Sequence, residues 1–139
     1  MGRIVAIDFG LKRTGIAVTD VLKITANGLT TLDTSVVLEF LYNYIQTESV
    51  ELFVVGEPVN LDGSPTHATL SANNFVAALQ KKIPDIPVER EDESFTSKMA
   101  MQTLIDAGIK KKKRQDKKLL DKISAAIILQ SYLTRKGIW

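Results

Sequence analysis

The sequence predicts a single α/β domain, a mixed sheet flanked by helices in the order β-β-β-α-β-α-β-α-α. Three observations point there. The first thirty residues are β-rich segments broken by turns; the apolar spacing then switches to helical from Thr34; and the wholly apolar run LFVV at 52–55 lies between two helical stretches, as a strand buried on both faces would. A chain of 139 residues and 15.4 kDa has room for one core of ordinary size, so the domain is expected to span residues 1–139.

In chain order, RIVAIDF at 3–9 is β-rich and meets Gly10, and TGIAVT at 14–19 returns as the second arm of a hairpin. A third short strand is expected over 26–31, giving three sequential antiparallel strands. Val37, Phe40, Leu41, Tyr44 and Ile45 then recur at helical spacing behind a Thr34/Ser35 cap. After LFVV, Gly56, Pro58 and Asp62–Gly63 break the chain, and a long loop is expected. Ala68, Ala72, Phe75, Val76 and Leu79 form the next helical stripe, and Pro84 and Pro87 lead into the strand VEREDE at 88–93. Strand, helix, strand implies a right-handed parallel crossover. Thr96 and Ser97 cap a helix that stops at Gly108, and a last helix, apolar almost all round, is expected from about Leu119 to Thr134 and to be largely buried.

Composition removes several classes of function. There is no cysteine, which excludes disulfide frameworks, thiolate zinc sites, iron–sulfur clusters and thiol nucleophiles. No apolar run reaches the length of about 18 residues a membrane helix needs, and the N-terminal MGRIVAIDFG carries an acid where a signal peptide needs an unbroken apolar stretch. A cytoplasmic protein without a membrane partner is expected.

Charge is unevenly placed. KKKKRQDKK at 110–118 carries +6, leaving −4 on the rest of a chain whose net charge is +2. A basic block on an otherwise acidic chain suits a polyanion contact set apart from a cation site; the bland reading is a solvated loop. Lys110, Lys111, Lys112, Lys113, Arg114, Lys117 and Lys118 are therefore candidate nucleic-acid contacts, and Lys12 and Arg13 join them because they follow the first acid of interest.

That acid is Asp8, which ends the first strand in an otherwise apolar run just before the turn. A carboxylate there is a turn former, a partner for Lys12 or Arg13, or a cation ligand. A second acidic point is the cluster Glu89, Glu91, Asp92 and Glu93, in which the three glutamates share one strand face; that many like charges need either water or a cation. The third is Asp121 near the start of the last helix, where the helix dipole alone could explain it. Carboxylates from a first strand, a later strand and a C-terminal helix suit a divalent-metal phosphodiester cutter, since hard oxygen ligands favour Mg²⁺ or Mn²⁺, and two such ions about 4 Å apart can activate a water and stabilise the leaving oxygen.

Four blocks, GRIVAIDFGLKRTGIAVTD, VVGEPVNLDGS, DESFTS at 92–97 and LDKISAAIILQSYL at 120–133, together resemble the signature blocks of the YqgF family. Its members are RuvC-like proteins of the ribonuclease H-like fold, described as pre-16S rRNA nucleases or Holliday-junction resolvases. The resemblance implies a five-stranded sheet with its first three strands antiparallel, and a catalytic and metal-holding set of Asp8, Glu93 and Asp121 using Mg²⁺ or Mn²⁺. Ser94 stands where the family has an arginine, and Glu57 where it more often has an apolar residue, so that Glu57 could add a fourth carboxylate. The implied activity is metal-dependent cleavage of structured RNA at the 5′ end of pre-16S rRNA. Holliday-junction resolution is the nearest alternative, and a noncatalytic nucleic-acid-binding module, favoured by Ser94, the third. Asp8 to Gly15 also fits an actin-like phosphate loop, but the chain supplies only one of the two lobes which that fold uses. His67 reads as a surface residue at a helix start, with a leaving-group role the lesser option, and Trp139 could stack on a base or pack on a partner.

Overall fold

The computed structural model describes residues 2–58, 62, 64–93, 102, 105–108, 110 and 116–139. Strands β1 (Arg3–Asp8), β2 (Arg13–Thr19) and β3 (Ala26–Asp33) are followed by helix α1 (Val37–Thr47), β4 (Val50–Glu57), α2 (His67–Lys82), β5 (Val88–Asp92) and α3 (Lys117–Arg135). The five strands form one sheet in the order β3-β2-β1-β4-β5. The β1–β2 and β2–β3 pairs are antiparallel, whereas β4 pairs in parallel with both β1 and β5. The expected mixed sheet and the parallel crossover from β4 through α2 to β5 are present, and β1 also pairs in parallel with β4. No helix among the described residues is long and apolar enough to cross a membrane.

Element bounds differ from expectation for local reasons. β3 runs two residues further than expected because Asp33 and Leu32 still pair with Arg13 and Thr14. Thr34 does not cap α1: residues Thr34–Val36 form a 3-10 turn, and the Thr34 hydroxyl donates to the Gly10 carbonyl at 2.5 Å while accepting from Thr14 at 2.9 Å. Its job is to fasten the β1–β2 turn. The last helix starts earlier than expected because Asp116 caps it, accepting from the backbone N–H groups of Lys118 and Leu119. Asp121 thus lies one turn into α3, and Asp116 takes the role at the helix start. Of the helix expected before it, Gln102, Ile105 and Asp106 are helical and Gly108 takes the left-handed conformation at φ +74°, as a stop residue should; Thr96 and Ser97 lie outside the described residues.

Alternation along the strands makes two cores. Val5 and Ile7 of β1, Ile16 of β2 and Phe53 and Val55 of β4 pack against Val37 and Leu41 of α1 and Phe75 and Leu79 of α2. On the other face Ile4, Ala6, Ala17, Leu52 and Val54 pack against Ala125, Ile128, Leu129, Tyr132 and Leu133 of α3. Burial on both faces is why β1 and β4 read as nearly continuous apolar runs, each buried aliphatic side chain contributing roughly 1.5–3 kcal/mol. The two faces are not equally bulky. The α3 face carries Ala6, Ala17, Gly15 and Gly56, and such small residues let the helix lie close to the sheet. A Cβ on Gly15 would overlap the backbone carbonyl of Asp121, and one on Gly56 would overlap the Glu93 carboxylate and press on Cδ1 of Ile128.

Because the atom that blocks a side chain at position 15 is backbone, Gly15→Ala must displace α3. Overpacking of this kind costs about 1–3 kcal/mol. Urea unfolding of Gly15→Ala is expected to show that loss, with the midpoint lowered and the slope kept; an unchanged midpoint would mean that α3 does not depend on this close approach.

Candidate active site

β1 places Asp8 on the α3 face, two residues beyond Ala6 in the alternation that begins at Ile4. β5 places Glu89, Glu91 and Glu93 on that same face, but β4 lies between β1 and β5. Gly56 resolves the separation. It is the β4 residue on this face, and having no side chain it lets the Glu93 carboxylate lie over it and meet Asp8 in a carboxyl–carboxylate hydrogen bond. From the other side, Asp8 pairs with Gly15 across the β1–β2 ladder, and Gly15 touches the backbone of Asp121. Acids from β1, the end of β5 and α3 therefore gather at one edge of the sheet.

The three glutamates of β5 have separate fates. Glu89 accepts from the Tyr132 hydroxyl at 2.6 Å and pairs with Lys136 at 3.3 Å. Glu91, buried, accepts from Ser131 at 2.7 Å and from Arg135 Nε at 2.7 Å. The last turns of α3 supply these donors, so only Glu93 is left to face Asp8.

Burial pushes the Asp8 carboxyl up to about 6, helped by the nearby Asp121 charge and opposed by the hydrogen bond from Glu93. Burial pushes Glu93 up to about 9, reinforced by the charge and the hydrogen bond of Asp8 and opposed by the Arg90 guanidinium. The two acids hold one proton between them at neutral pH. Glu93 Oε2 is nevertheless buried without a hydrogen-bond partner. Arg90 is anchored to the Val55 and Gly56 carbonyls at 3.2 Å each and to Asn73 at 2.8 Å, so its charge is fixed at the end of β4.

Asp121 is turned to Arg13, whose Nε donates to Oδ2 at 3.0 Å. A cleft of about 280 Å³ opens there, lined by Asp8, Arg13, Lys117, Leu120, Asp121 and Ser124. Among the described residues no three acids converge closely enough to hold one ion as they stand. Like charges drive this arrangement, since Asp121 takes the nearest cation instead of approaching an Asp8–Glu93 pair that already shares a proton. The donors still suit a hard divalent cation: all are carboxylate oxygens, one is buried and unsatisfied, and the pair is charge-deficient only because it keeps a proton. Asp8 and Glu93 would hold such an ion, with Asp121 within electrostatic reach of it.

Other expected site residues fall in different places. Arg13 pairs with Asp121 and not with Asp8, and Lys12 is exposed. Glu57 continues the Phe53 and Val55 alternation, onto the sheet face opposite Asp8 and Glu93. Lys117 borders the cleft, Lys118 borders a neighbouring groove with Lys122 and Thr31, and Lys110 is exposed. Lys111, Lys112, Lys113, Arg114 and Ser94 lie outside the described residues. His67 is the exposed first residue of α2 after the Thr66 cap, and the Trp139 indole donates to the Lys23 carbonyl at 2.9 Å. Gly56, Arg90 and Ser124 were not anticipated. Only Gly56 left a sequence signal, as a small residue at the end of an apolar strand.

Both raised carboxyl groups make metal-free stability depend on pH. Each binds its proton more tightly folded than unfolded, so their contribution is complete below about pH 4 and is lost as pH rises through about 6 and about 9. Thermal melts of metal-free protein are expected to fall across that window. Asp8→Asn, which removes one charge from the pair, is expected to melt higher than wild type at pH 8, by about 4 °C for each kcal/mol of relieved burial. A lower melting temperature for that variant would contradict the buried acid pair.

A family model described as "RuvX: Holliday junction resolvase" matches residues 2–135. A "Putative pre-16S rRNA nuclease" of Christiangramia forsetii is 53% identical over 133 residues, covering 96% of this chain and 98% of that protein. One of the same name from Phocaeicola vulgatus is 54% identical over 136 residues, covering 98% of each. Among solved structures, Thermus thermophilus RuvC in complex with a Holliday junction substrate superposes with a TM-score of 0.53 at 18% identity, covering 99% of this chain and 97% of that one, which shows the shared ribonuclease H-like fold. With a model match across almost its whole length and relatives near half identity, the chain belongs to the RuvX (YqgF) family.

Proposed function

We propose that this chain is a divalent-metal-dependent endonuclease that hydrolyses phosphodiester bonds in structured RNA, in maturing the 5′ end of pre-16S rRNA. The observation that carries the reading is the Asp8–Glu93 pair meeting across Gly56 beside a cleft that also presents Asp121, Arg13 and Lys117. Bound Mg²⁺ or Mn²⁺ would supply the Lewis acid that activates a water and stabilises the leaving oxygen. Asp8 and Glu93 would provide its oxygen ligands, their shared proton leaving to solvent, and Asp121 lines the same cleft as Asp8. Arg13 and Lys117 face the same cleft with the charge that a phosphate backbone needs. Burial of the acid pair makes their interaction with a cation stronger than it would be in open water.

The RNA substrate is supported by the names of the relatives at about half identity, and a four-way DNA junction by the description of the family model. The carboxylates serve either, since cleavage chemistry is common to both polymers. The decisive assay offers precursor rRNA and a four-way junction to the purified protein in one buffer with Mg²⁺. Cleavage of the precursor alone is expected; preference for the junction would transfer the activity to resolution, and cleavage of neither would leave a binding module. Asp8→Asn, Glu93→Gln and Asp121→Asn keep side-chain volume and each is expected to lower cleavage more than about 100-fold while the fold survives. Full activity in the Asp8 variant would remove the carboxylate site from the reaction.

The basic block, whose last two lysines Lys117 and Lys118 open α3, is proposed as a substrate contact that leads toward Asp121. Replacing Lys110, Lys111, Lys112 and Lys113 with glutamine is expected to weaken binding across all sequences. It should flatten the dependence of log affinity on log salt by about 0.7–0.9 for each phosphate that is no longer neutralised. Turnover at saturating substrate should barely change. An unaltered affinity and salt slope would reduce the block to a solvated loop.

A further inference from the structure

We propose that Arg13 is an exchangeable counter-ion: it holds Asp121 while no metal is bound, and passes to a substrate phosphate when a divalent cation draws Asp121 into the site. The proposal rests on the metal-dependent reading above and assigns the order in which its parts engage.

Three observations lead to it. First, Asp121 is near enough to act on Asp8, yet its Oδ2 is committed to Arg13 Nε at 3.0 Å, and among the described residues no three acids form an ion-holding set. Second, the ion pair is of a kind that exchanges readily. Its side chains are 31% and 28% exposed, so water screens the attraction, and such a pair is weak beside a doubly charged ion on hard oxygen ligands. Third, the Arg13 backbone is held in place while its terminal nitrogens are not engaged with any described residue. It lies in the β2–β3 ladder opposite Asp33, and the loop before it is secured by the Thr34 N–H to the Lys12 carbonyl at 3.0 Å and by the Thr34 hydroxyl to Gly10. Among the described residues the guanidinium makes its hydrogen bond through Nε alone, leaving both terminal nitrogens to donate bidentately to a phosphate from the same backbone position. Among the described residues Lys117 is the other cation lining this cleft, and the exposed Asp33, opposite Arg13 in the ladder, is a competing acid on β3.

A permanent strut between β2 and α3 would show the same ion pair, and Mn²⁺ binding separates the two. Mn²⁺ affinity of metal-free protein, read from the electron paramagnetic resonance of free Mn²⁺, is compared in wild type, Arg13→Gln, Asp121→Asn and the double variant, with melts to verify folding. Exchange predicts that Arg13→Gln binds Mn²⁺ about two- to fivefold more tightly than wild type, the range a partly exposed ion pair implies, and that the gain shrinks when Asp121 is already Asn. An equal gain in both backgrounds is a general charge effect, and no gain at all is a strut; either result overturns the proposal. Failure of wild type to bind Mn²⁺ would overturn the metal-dependent reading itself, a different outcome from binding without coupling. The second half of the exchange is read on substrate: Arg13→Lys, which keeps the charge but not the two-pronged geometry, is expected to leave Mn²⁺ affinity near wild type and raise KM severalfold. An unchanged KM would overturn the transfer to phosphate.

Discussion

Two carboxyl groups from strands that do not touch are brought into hydrogen-bond contact, and the constraint that allows it is the missing side chain at Gly56. β4 separates β1 from β5, so any Cβ at that position would fill the space through which Glu93 reaches Asp8. The rest of the site follows from this contact. Burial raises both acids, their mutual repulsion leaves one proton between them, and Glu93 Oε2 is left buried without a hydrogen-bond partner. A site of this kind is held in a state that folding alone does not favour, which is the usual relation between stability and function at buried charges.

Helix α3 stabilises that arrangement at both of its ends. Its first turns carry Asp121 and Ser124 to the cleft, and its last turns neutralise Glu89 and Glu91 through Ser131, Tyr132, Arg135 and Lys136. Between them, Ala125, Ile128, Leu129, Tyr132 and Leu133 fix the helix against the sheet. The same packing that forms half of the core therefore decides which of three chemically equivalent glutamates is left to meet Asp8. Small residues on the sheet face set the distance, since Gly15 places the sheet against the α3 backbone at Asp121.

Charge at the rim is arranged around the same centre. Arg90 fixes one positive charge against the carbonyls at the end of β4, where it offsets part of the cost of Glu93 without contacting the cleft. Arg13 places another on a partly exposed side chain paired with Asp121. The first arginine is bonded to backbone and Asn73 and so is structural; the second is bonded to a single partly exposed carboxylate, which is what makes it available.

Much of the fold was legible because it depends on patterns local to each segment. Period-two and helical spacing, the all-apolar LFVV run and the turn residues were enough for the strand order in sequence, the crossover from β4 to β5 and a last helix packed on the sheet, although that helix buries one face and not its whole circumference. Asp8 and the β5 acids stood out as charges in places where charge needs a reason. Element ends were less legible, because they were settled by partners distant in sequence: Thr34 looked like a helix cap until Gly10 and Thr14 were beside it, and Asp121 looked like a first-turn acid until Asp116 took the cap. Sequence by itself determined that acids would end the strands and that the chain carries a basic block before its last helix. Only the tertiary structure decided that Glu93 meets Asp8, that Glu89 and Glu91 are neutralised, that Glu57 faces away and that Arg13 serves Asp121, because each depends on which side chains share a face and a distance once separate strands and a helix are packed.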